Sequence, residues 1–206
     1  MKIQKILAQG FGANAYLVSS DGENAVVIDP ADSRAYAALK AQGLNGKAVF
    51  LTHCHFDHVG GVPELCSRGA KEYLSKREST LLGTGAELFA LAGISPVQYA
   101  VDEELEDNQT VELCGLLVTC LVTPGHTAGS ACFLVEEKSS GQRALFSGDT
   151  LFAGTIGRTD FPTGDLRALR ASLKRLAALD DLPVYAGHNQ DTTIETERKF
   201  NPFMRG

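Results

Sequence analysis

Apolar and polar positions alternate in short runs over the first fifty residues, with Gly, Asp and Asn between the runs. Short runs rich in Val, Ile and Leu are typical of strands. We therefore predict strands at residues 3–8, Ala15–Ser19, Asn24–Ile28 and 48–51. The pair Asp21-Gly22 predicts a hairpin turn between the second and the third.

Helical spacing is clearest late in the chain. Four leucines recur at intervals of three and four and predict an amphipathic helix over residues 165–179: Leu166, Leu169, Leu173 and Leu176. Near the N-terminus, Asp32 or Ser33 can cap a helix over residues 34–41, which Gly43 would end.

Two further segments are expected to contain helix. Residues 75–92 have a partly helical pattern, which Gly83 and Gly85 interrupt. Thr192 and Glu195 form a capping box for a final helix, which should stop before Pro202.

Strand-like runs return in the second half, at residues 111–122, 131–135, 144–146 and Pro183–Ala186. Each half of the chain thus combines strands with helices. The order predicts an α+β fold in which two sheets pack together with helices outside. A length of 206 residues fits one domain, residues 1–206.

Composition narrows the possible partners. The net charge of −6 argues against a nucleic acid, because a phosphate-binding surface needs a basic excess. No apolar run reaches the roughly 20 residues of a membrane span. Polar residues and a glycine interrupt the N-terminal apolar run, which argues against a signal peptide. The five cysteines are odd in number and form no C-x-x-C pair, which favours free thiols in the cytoplasm.

All five histidines follow apolar strand-like runs, as does one isolated aspartate. Strand ends are where sheets commonly hold ligand sites. Three histidines and an aspartate occupy six consecutive positions, and the others come later: His53, His55, Asp57, His58, His126, Asp149 and His188.

The residue types indicate a metal centre. Neutral imidazole and carboxylate are ligands that suit zinc, iron and manganese. In an extended segment His53 and His55 project to the same side, while Asp57 and His58 lie a turn further on and can face a second ion. Asp149 is then the natural bridge, since one carboxylate can bind two metals.

A single histidine is more often a surface or core residue than a ligand. Four ligand-type residues within six positions are different, because burying them without partners would be costly. The cluster therefore predicts metal binding rather than packing.

The segment T-H-C-H-F-D-H-V-G-G resembles the metal motif of the metallo-β-lactamase superfamily. T-P-G-H-T-A-G-S, S-G-D-T-L-F and A-G-H resemble its remaining metal motifs, and the likeness runs from Asn14 to the C-terminus. It implies a four-layer αβ/βα sandwich with two metals. His53, His55 and His126 would bind the first metal, and Asp57, His58 and His188 the second. Asp149 would bridge the two.

Within that superfamily, residues 148–165 and 187–203 most resemble the short bacterial members of the glyoxalase II group, the hydroxyacylglutathione hydrolases. The resemblance implies hydrolysis of a small thioester such as S-lactoylglutathione by a metal-bridging hydroxide. Asp57 would also orient or accept the proton of that nucleophile, and Arg158 would bind a substrate carboxylate. We expect two divalent ions, zinc first, with iron or manganese as alternatives.

Two departures from the glyoxalase II pattern lower the expected affinity for glutathione. The chain ends soon after its last histidine, without the C-terminal helical domain of full-length members. Phe133 also stands where the family often has a tyrosine.

The main alternative is a persulfide dioxygenase, which the segments Gly157 to Phe161 and Thr52 to His55 also resemble. Such an enzyme would hold one iron on His53, His126 and Asp149 and oxidise glutathione persulfide. The ligand set does not separate the two reactions. The full ligand set disfavours a metal module without turnover. The lack of an export signal disfavours an exported β-lactamase, and the acidic charge disfavours an RNA-processing nuclease.

Overall fold

Fourteen strands and seven helices form along residues 1–205, which are the residues that the computed structural model describes. The strands are β1 (Lys2–Ile6), β2 (Ala15–Ser19), β3 (Asn24–Ile28), β4 (Asn45–Leu51), β5 (Lys71–Ser75), β6 (Glu103–Leu105), β7 (Thr110–Leu113), β8 (Leu116–Val122), β9 (Ala131–Glu137), β10 (Arg143–Gly148), β11 (Leu151–Phe152), β12 (Thr155–Ile156), β13 (Pro183–Ala186) and β14 (Thr192–Thr193). The helices are α1 (Arg34–Gln42), α2 (Phe56–Val59), α3 (Val62–Cys66), α4 (Lys76–Ser79), α5 (Phe89–Ala92), α6 (Leu166–Ala177) and α7 (Ile194–Phe200).

The strands build two six-stranded sheets and one small hairpin. The first sheet has the order β1-β2-β3-β4-β5-β6 and the second the order β14-β13-β10-β9-β8-β7. In the first sheet the pairs from β3 to β6 are parallel, so the strands β3, β4 and β5 end at the same edge. In the second sheet β10 and β13 are parallel as well.

Three apolar clusters separate the layers. The central cluster lies between the two sheets and includes Val26 and Phe50 from one and Phe133 and Phe146 from the other. A second cluster packs the first sheet against α1 and α3. A third joins the second sheet to α6, through side chains such as Leu173. The predicted four-layer αβ/βα sandwich is therefore confirmed.

Several local predictions are confirmed. Strands β2, β3 and β13 have the expected bounds, and β2 and β3 form an antiparallel hairpin whose turn is stabilised by Asp21. Helix α1 ends at Gly43, which has a left-handed backbone with φ of 68°. Helix α6 begins at Asp165, which accepts hydrogen bonds from the amides of Arg167 and Ala168.

Two predictions in the second half need correction. Residues 111–122 form a hairpin instead of one strand, because Cys114 and Gly115 both have positive φ and turn the chain between β7 and β8. The final helix is capped one residue later than predicted. Thr192 pairs with Val184 in the ladder between β13 and β14, so Thr193 becomes the N-cap instead. As predicted, the helix ends before Pro202.

The middle of the chain differs most from the prediction. Residues 75–92 contain only the single turns α4 and α5, because Gly83 and Gly85 adopt left-handed conformations between them. Strands β5 and β6 and the short helices α2 and α3 were not predicted. Among residues 1–205, the longest helix, α6, has 12 residues, and none combines the length and hydropathy needed to cross a bilayer.

Strand β5 carries a buried carboxyl group that interrupts its apolar pattern. Glu72 is 0% exposed, and neither of its carboxyl oxygens has a hydrogen-bond partner within residues 1–205. Burial, with a smaller contribution from Asp102, raises the pKa of Glu72 from 4.5 to about 8. The folded protein therefore holds this group protonated at neutral pH.

We predict that Glu72 makes the fold less stable as pH rises. Between pH 4.5 and 8 the unfolded chain loses this proton and the folded chain keeps it, so the unfolding free energy falls across that window. Glu72→Gln removes the effect, and its stability relative to wild type should grow by roughly 2–4 kcal/mol from pH 5 to pH 8. Urea unfolding of both proteins at several pH values measures this, and a constant difference would contradict it.

Candidate metal centre

The seven candidate ligands lie together where strands of both sheets end. His53 and His55 follow β4, and α2 then carries Asp57 and His58. The second sheet contributes three side chains from three separate strand ends, namely His126 after β8, Asp149 after β10 and His188 after β13. Residues more than a hundred positions apart thus meet at one point.

The first group consists of His53, His55 and His126. Their possible ligand atoms lie within 4.8 Å of one another. All three are almost fully buried, with exposures of 1%, 3% and 2%. The Nε2 atom of His126 lies 3.0 Å from Nδ1 of His55, so two rings from different sheets address the same small volume.

The second group consists of Asp57, His58 and His188. The Nε2 atom of His188 lies 3.2 Å from Oδ2 of Asp57, and Nε2 of His58 lies 3.8 Å from the same oxygen. The side chain of His188 is 29% exposed and that of Asp57 15%. This group therefore faces the open side of the centre.

Asp149 lies between the two groups. Its Oδ1 is 3.4 Å from Nε2 of His58. Its Oδ2 is 3.6 Å from Nε2 of His126 and equally far from Nε2 of His188. One carboxylate thus contacts ligands of both groups, which is the geometry that a bridging ligand requires.

Several buried polar atoms of the centre have no hydrogen-bond partner among the described residues. They are Nε2 of His53, of His55 and of His58, and Oδ1 of Asp149. Such atoms are costly to bury unless something binds them. Since they converge on one volume, the residues fit divalent ions well.

Burial and neighbouring charges give the two groups different charge states. Burial lowers the pKa of His53 and lowers that of His55 to about 3, so both rings are neutral and ready to bind a cation. Burial acts in the same direction on His58, but the carboxylates of Asp29, Asp57 and Asp149 outweigh it and raise the pKa of that ring.

The carboxylates of the centre remain ionised. Burial raises the pKa of Asp57 and of Asp149, but the adjacent histidines outweigh it and bring both pKa values below the usual range. For each group the leading opposing charge is that of His58. Ionised carboxylates at these two positions suit the binding of divalent cations.

Outer hydrogen bonds orient three of the rings. Nδ1 of His126 donates to the carbonyl of Arg158 at 2.8 Å, which leaves Nε2 free. Nδ1 of His58 donates to Oδ2 of Asp29 at 3.0 Å. Nδ1 of His53 lies 3.0 Å from Oγ1 of Thr52, which itself donates to Asp29. Partners of this kind fix the tautomer and the direction of a metal-binding ring.

Asp29 is a functional residue that the sequence analysis missed. It is 2% exposed, directly follows β3 and also accepts the backbone N–H of Thr52. Its position after an apolar strand was the available signal, since the same pattern marks the ligands. Of the other threonines next to ligands, Thr127 contacts Glu78 and Thr150 contacts Thr123.

Gly187 explains why the last histidine sits in the sequence A-G-H. A Cβ atom there would lie 2.4 Å from Oδ1 of Asp149 and 2.8 Å from a ring carbon of His58. Only glycine allows the backbone to pass this close to two ligands.

A cavity of about 430 Å³ opens over the centre. Ligands form its floor, and its walls are largely apolar, with Phe11, Leu88 and Phe161 among them. Arg158 lies on the rim, where its guanidinium stacks 3.8 Å from the Phe161 ring centroid and its Nε and Nη2 donate to Asp160. Phe133, which stands where the glyoxalase II group often has a tyrosine, lies in the core between the sheets and packs against Phe50. Its side chain does not line the cavity.

A family model described as the metallo-beta-lactamase superfamily matches residues 8–188. This stretch contains all seven clustered residues. The chain belongs to the metallo-β-lactamase superfamily. The resemblance inferred from the motifs is therefore confirmed at the level of the family.

A curated relative supports a metallohydrolase. The hydroxyacylglutathione hydrolase GloC of Haemophilus influenzae is 35% identical over 214 residues, which cover 99% of this chain and 98% of that protein. Together with the superfamily, this likeness supports an enzyme that uses divalent metals.

Several solved structures share this fold. BLEG-1, described as a B3 metallo-beta-lactamase, has a TM-score of 0.84 and 32% identity, with 100% of both chains covered. TTHA1623 in a di-iron-bound form has a TM-score of 0.82 and 34% identity, covering 97% of this chain and 99% of that one. ETHE1 from Myxococcus xanthus has a TM-score of 0.79 and 27% identity, covering 98% and 84%.

We predict that Asp149 contributes more to metal retention than any single histidine, because its two carboxylate oxygens contact ligands of both groups. Asp149→Ala should lose both ions or hold one weakly. Asp149→Asn keeps one carbonyl oxygen of the same shape and should retain at most one ion. Elemental analysis after dialysis against a weak chelator measures both. Two tightly held ions in Asp149→Ala would show that the residue does not bridge.

Proposed function

We propose that this protein is a binuclear metallohydrolase that cleaves thioesters, with S-lactoylglutathione or a related hydroxyacyl thioester as its substrate. The observation that carries the proposal is the pair of ligand groups joined by Asp149. The full-length likeness to GloC supports the thioester as substrate.

The ligand set suits two divalent ions, zinc first, with iron and manganese as alternatives. When bound, such ions supply Lewis acidity and lower the pKa of a coordinated water. The protein contributes rings of fixed direction from His53, His58 and His126. Buried Thr52 and Asp29 hold His53 and His58 in place by hydrogen bonds.

Asp57 has a further role in the proposal. It lines the cavity, and its Oδ2 is held 3.2 Å from Nε2 of His188. An ionised carboxylate in this place can accept a hydrogen bond from the attacking water and orient it. The thiolate of a thioester departs without a proton donor, so the site needs no dedicated general acid.

Substrate recognition is assigned to the rim of the cavity. Asp160 uses the Nε and Nη2 edge of Arg158, and stacking on Phe161 holds the guanidinium plane. The remaining N–H groups, on Nη1 and the other side of Nη2, stay available to a substrate carboxylate. Apolar walls beside this cation fit a small acyl chain joined to an anionic thiol carrier.

The direct test is a thioester assay on protein loaded separately with zinc, iron and manganese. We expect release of thiol from S-lactoylglutathione, loss of activity with a chelator and recovery on adding metal. The second candidate is a persulfide dioxygenase, which the segments Gly157 to Phe161 and Thr52 to His55 resemble and which the likeness to ETHE1 leaves open. Oxygen uptake on glutathione persulfide with one iron per chain, and no thioester hydrolysis, would select it. Turnover of a chromogenic β-lactam alone would exclude both.

We predict that Arg158→Ala raises KM for S-lactoylglutathione and hardly changes kcat. A charge-assisted contact is worth on the order of 1.5–3 kcal/mol, which corresponds to a roughly ten- to hundredfold change in KM. The contact is remote from the reacting carbonyl and equal in the ground and transition states, so the chemical step is spared. A small uncharged thioester should be hydrolysed as before.

Arg68→Ala is the matched control for this measurement. Arg68 also stacks 3.8 Å from an aromatic centroid, that of Tyr36, and also pairs with a nearby acid, Glu64, but it lies away from the cavity. It should leave the kinetics of both substrates unchanged. Equal losses on both substrates in Arg158→Ala would assign Arg158 to the fold or the metal centre, since its carbonyl holds His126.

A further inference from the structure

Glu78 is a buried carboxylate that touches both loops of the first ligand group. It lies on the single helical turn α4, beyond β5, and is 0% exposed. It is not one of the seven clustered ligands. Its burial therefore needs another explanation, because burying an acid costs free energy unless hydrogen bonds to its oxygens offset that cost.

Its two oxygens are bonded to different loops. Oε1 accepts the backbone N–H of Cys54, at 3.0 Å, between the ligands His53 and His55. Oε2 accepts the hydroxyl of Thr127 at 2.7 Å and the backbone N–H of Gly129 at 3.0 Å, directly after His126. One side chain thus links ligand loops that come from different sheets.

The local sequence suggests a capping box, but the hydrogen bonds of the Glu78 carboxylate show a different role. Ser75 and Glu78 have the S-x-x-E spacing of a capping box, in which the acid reaches back to the N-cap amide. Ser75 does cap the turn by accepting the N–H of Glu78. The Glu78 carboxylate, however, accepts its hydrogen bonds from Cys54, Thr127 and Gly129. It therefore binds the loops that carry the ligands of the first group.

Close backbone packing holds the link in place. A Cβ atom on Gly129 would lie 2.2 Å from the backbone nitrogen of Glu78, so the loop after His126 rests directly on α4. The hydroxyl of Ser75 also donates to the carbonyl of Gly129. The position of α4 and that of the His126 loop are consequently coupled.

We propose that Glu78 is a positioning residue that sets the distance between the His53–His55 loop and the His126 loop, and so determines the affinity of the first metal group. It acts through backbone amides and Thr127 and does not touch the metal or the substrate. The proposal rests on the metal-binding part of the proposed function and is independent of the thioester reaction.

Competition titration of zinc against a chromophoric chelator, with the full chain, tests this. Glu78→Gln keeps the shape but places an NH₂ donor against an N–H or hydroxyl donor. It should raise one of the two zinc dissociation constants by roughly ten- to a hundredfold, which is the usual effect of removing an outer contact of a metal ligand. The other constant should not change. His55→Ala, which removes a ligand of the first group, should abolish binding of the zinc ion to which that constant belongs.

Glu72→Gln is the matched control, because Glu72 is an equally buried glutamate six positions earlier that contacts neither loop. It should change neither constant. Glu78→Asp keeps the charge but is one methylene shorter and cannot reach both loops, so it should not rescue binding. Rescue by Asp would show that charge, and not the span, matters.

Thr127→Val keeps the test valid if Glu78→Gln does not fold. It removes only the hydroxyl contact of Oε2 and should weaken the same constant by a smaller factor. The double variant should be no worse than Glu78→Gln, since both changes break one link. Two zinc ions in wild type with unchanged constants in both single variants would overturn this proposal alone. A wild-type chain that binds neither zinc nor cobalt would overturn the metal centre as well.

Discussion

The structure depends on the cost of burying imidazole nitrogens and a carboxylate oxygen without partners. Nε2 of His53, His55 and His58 and Oδ1 of Asp149 converge in the interior with no hydrogen bond among the described residues. A fold can tolerate such atoms only if something else binds them and if the surrounding frame prevents their rearrangement. Both conditions are visible here, since the atoms define a volume for cations and Asp29 and Glu78 hold the frame around it.

Much of the centre could be predicted because its ligands obey a local rule. Each follows an apolar strand, and strand ends meet at one edge once two sheets stack. Among the outer residues Asp29 obeys the same rule, since it directly follows β3, but Glu78 does not. Glu78 fits a helix cap by its spacing, and only the approach of the His126 loop redirects its carboxylate. Contacts between distant segments leave no signature in the local pattern, so the role of Glu78 had to be found in three dimensions.

The same limit explains where the fold prediction failed. Periodicity identified α6 and the strands β2, β3 and β13, because their apolar residues recur at a regular local spacing. Strand β5 was missed because Glu72 interrupts its apolar face, and its strand character comes from parallel pairing with β4 and β6 on either side. The turn at Cys114-Gly115 depends on backbone conformations that hydrophobicity does not report.

The close packing of Gly187 against Asp149 and His58 restricts which parts of this fold can change without loss of the metal centre. The floor of the cavity is so closely packed that added atoms there would displace Asp149 or His58. The walls are built differently and include loop side chains such as Phe11 and Phe161, of which Phe11 is 82% exposed. New substrate preferences are therefore accessible by replacing loop residues one at a time, while the reactive floor is passed on intact. A laboratory library confined to the walls would sample specificity without sampling inactive metal-free proteins.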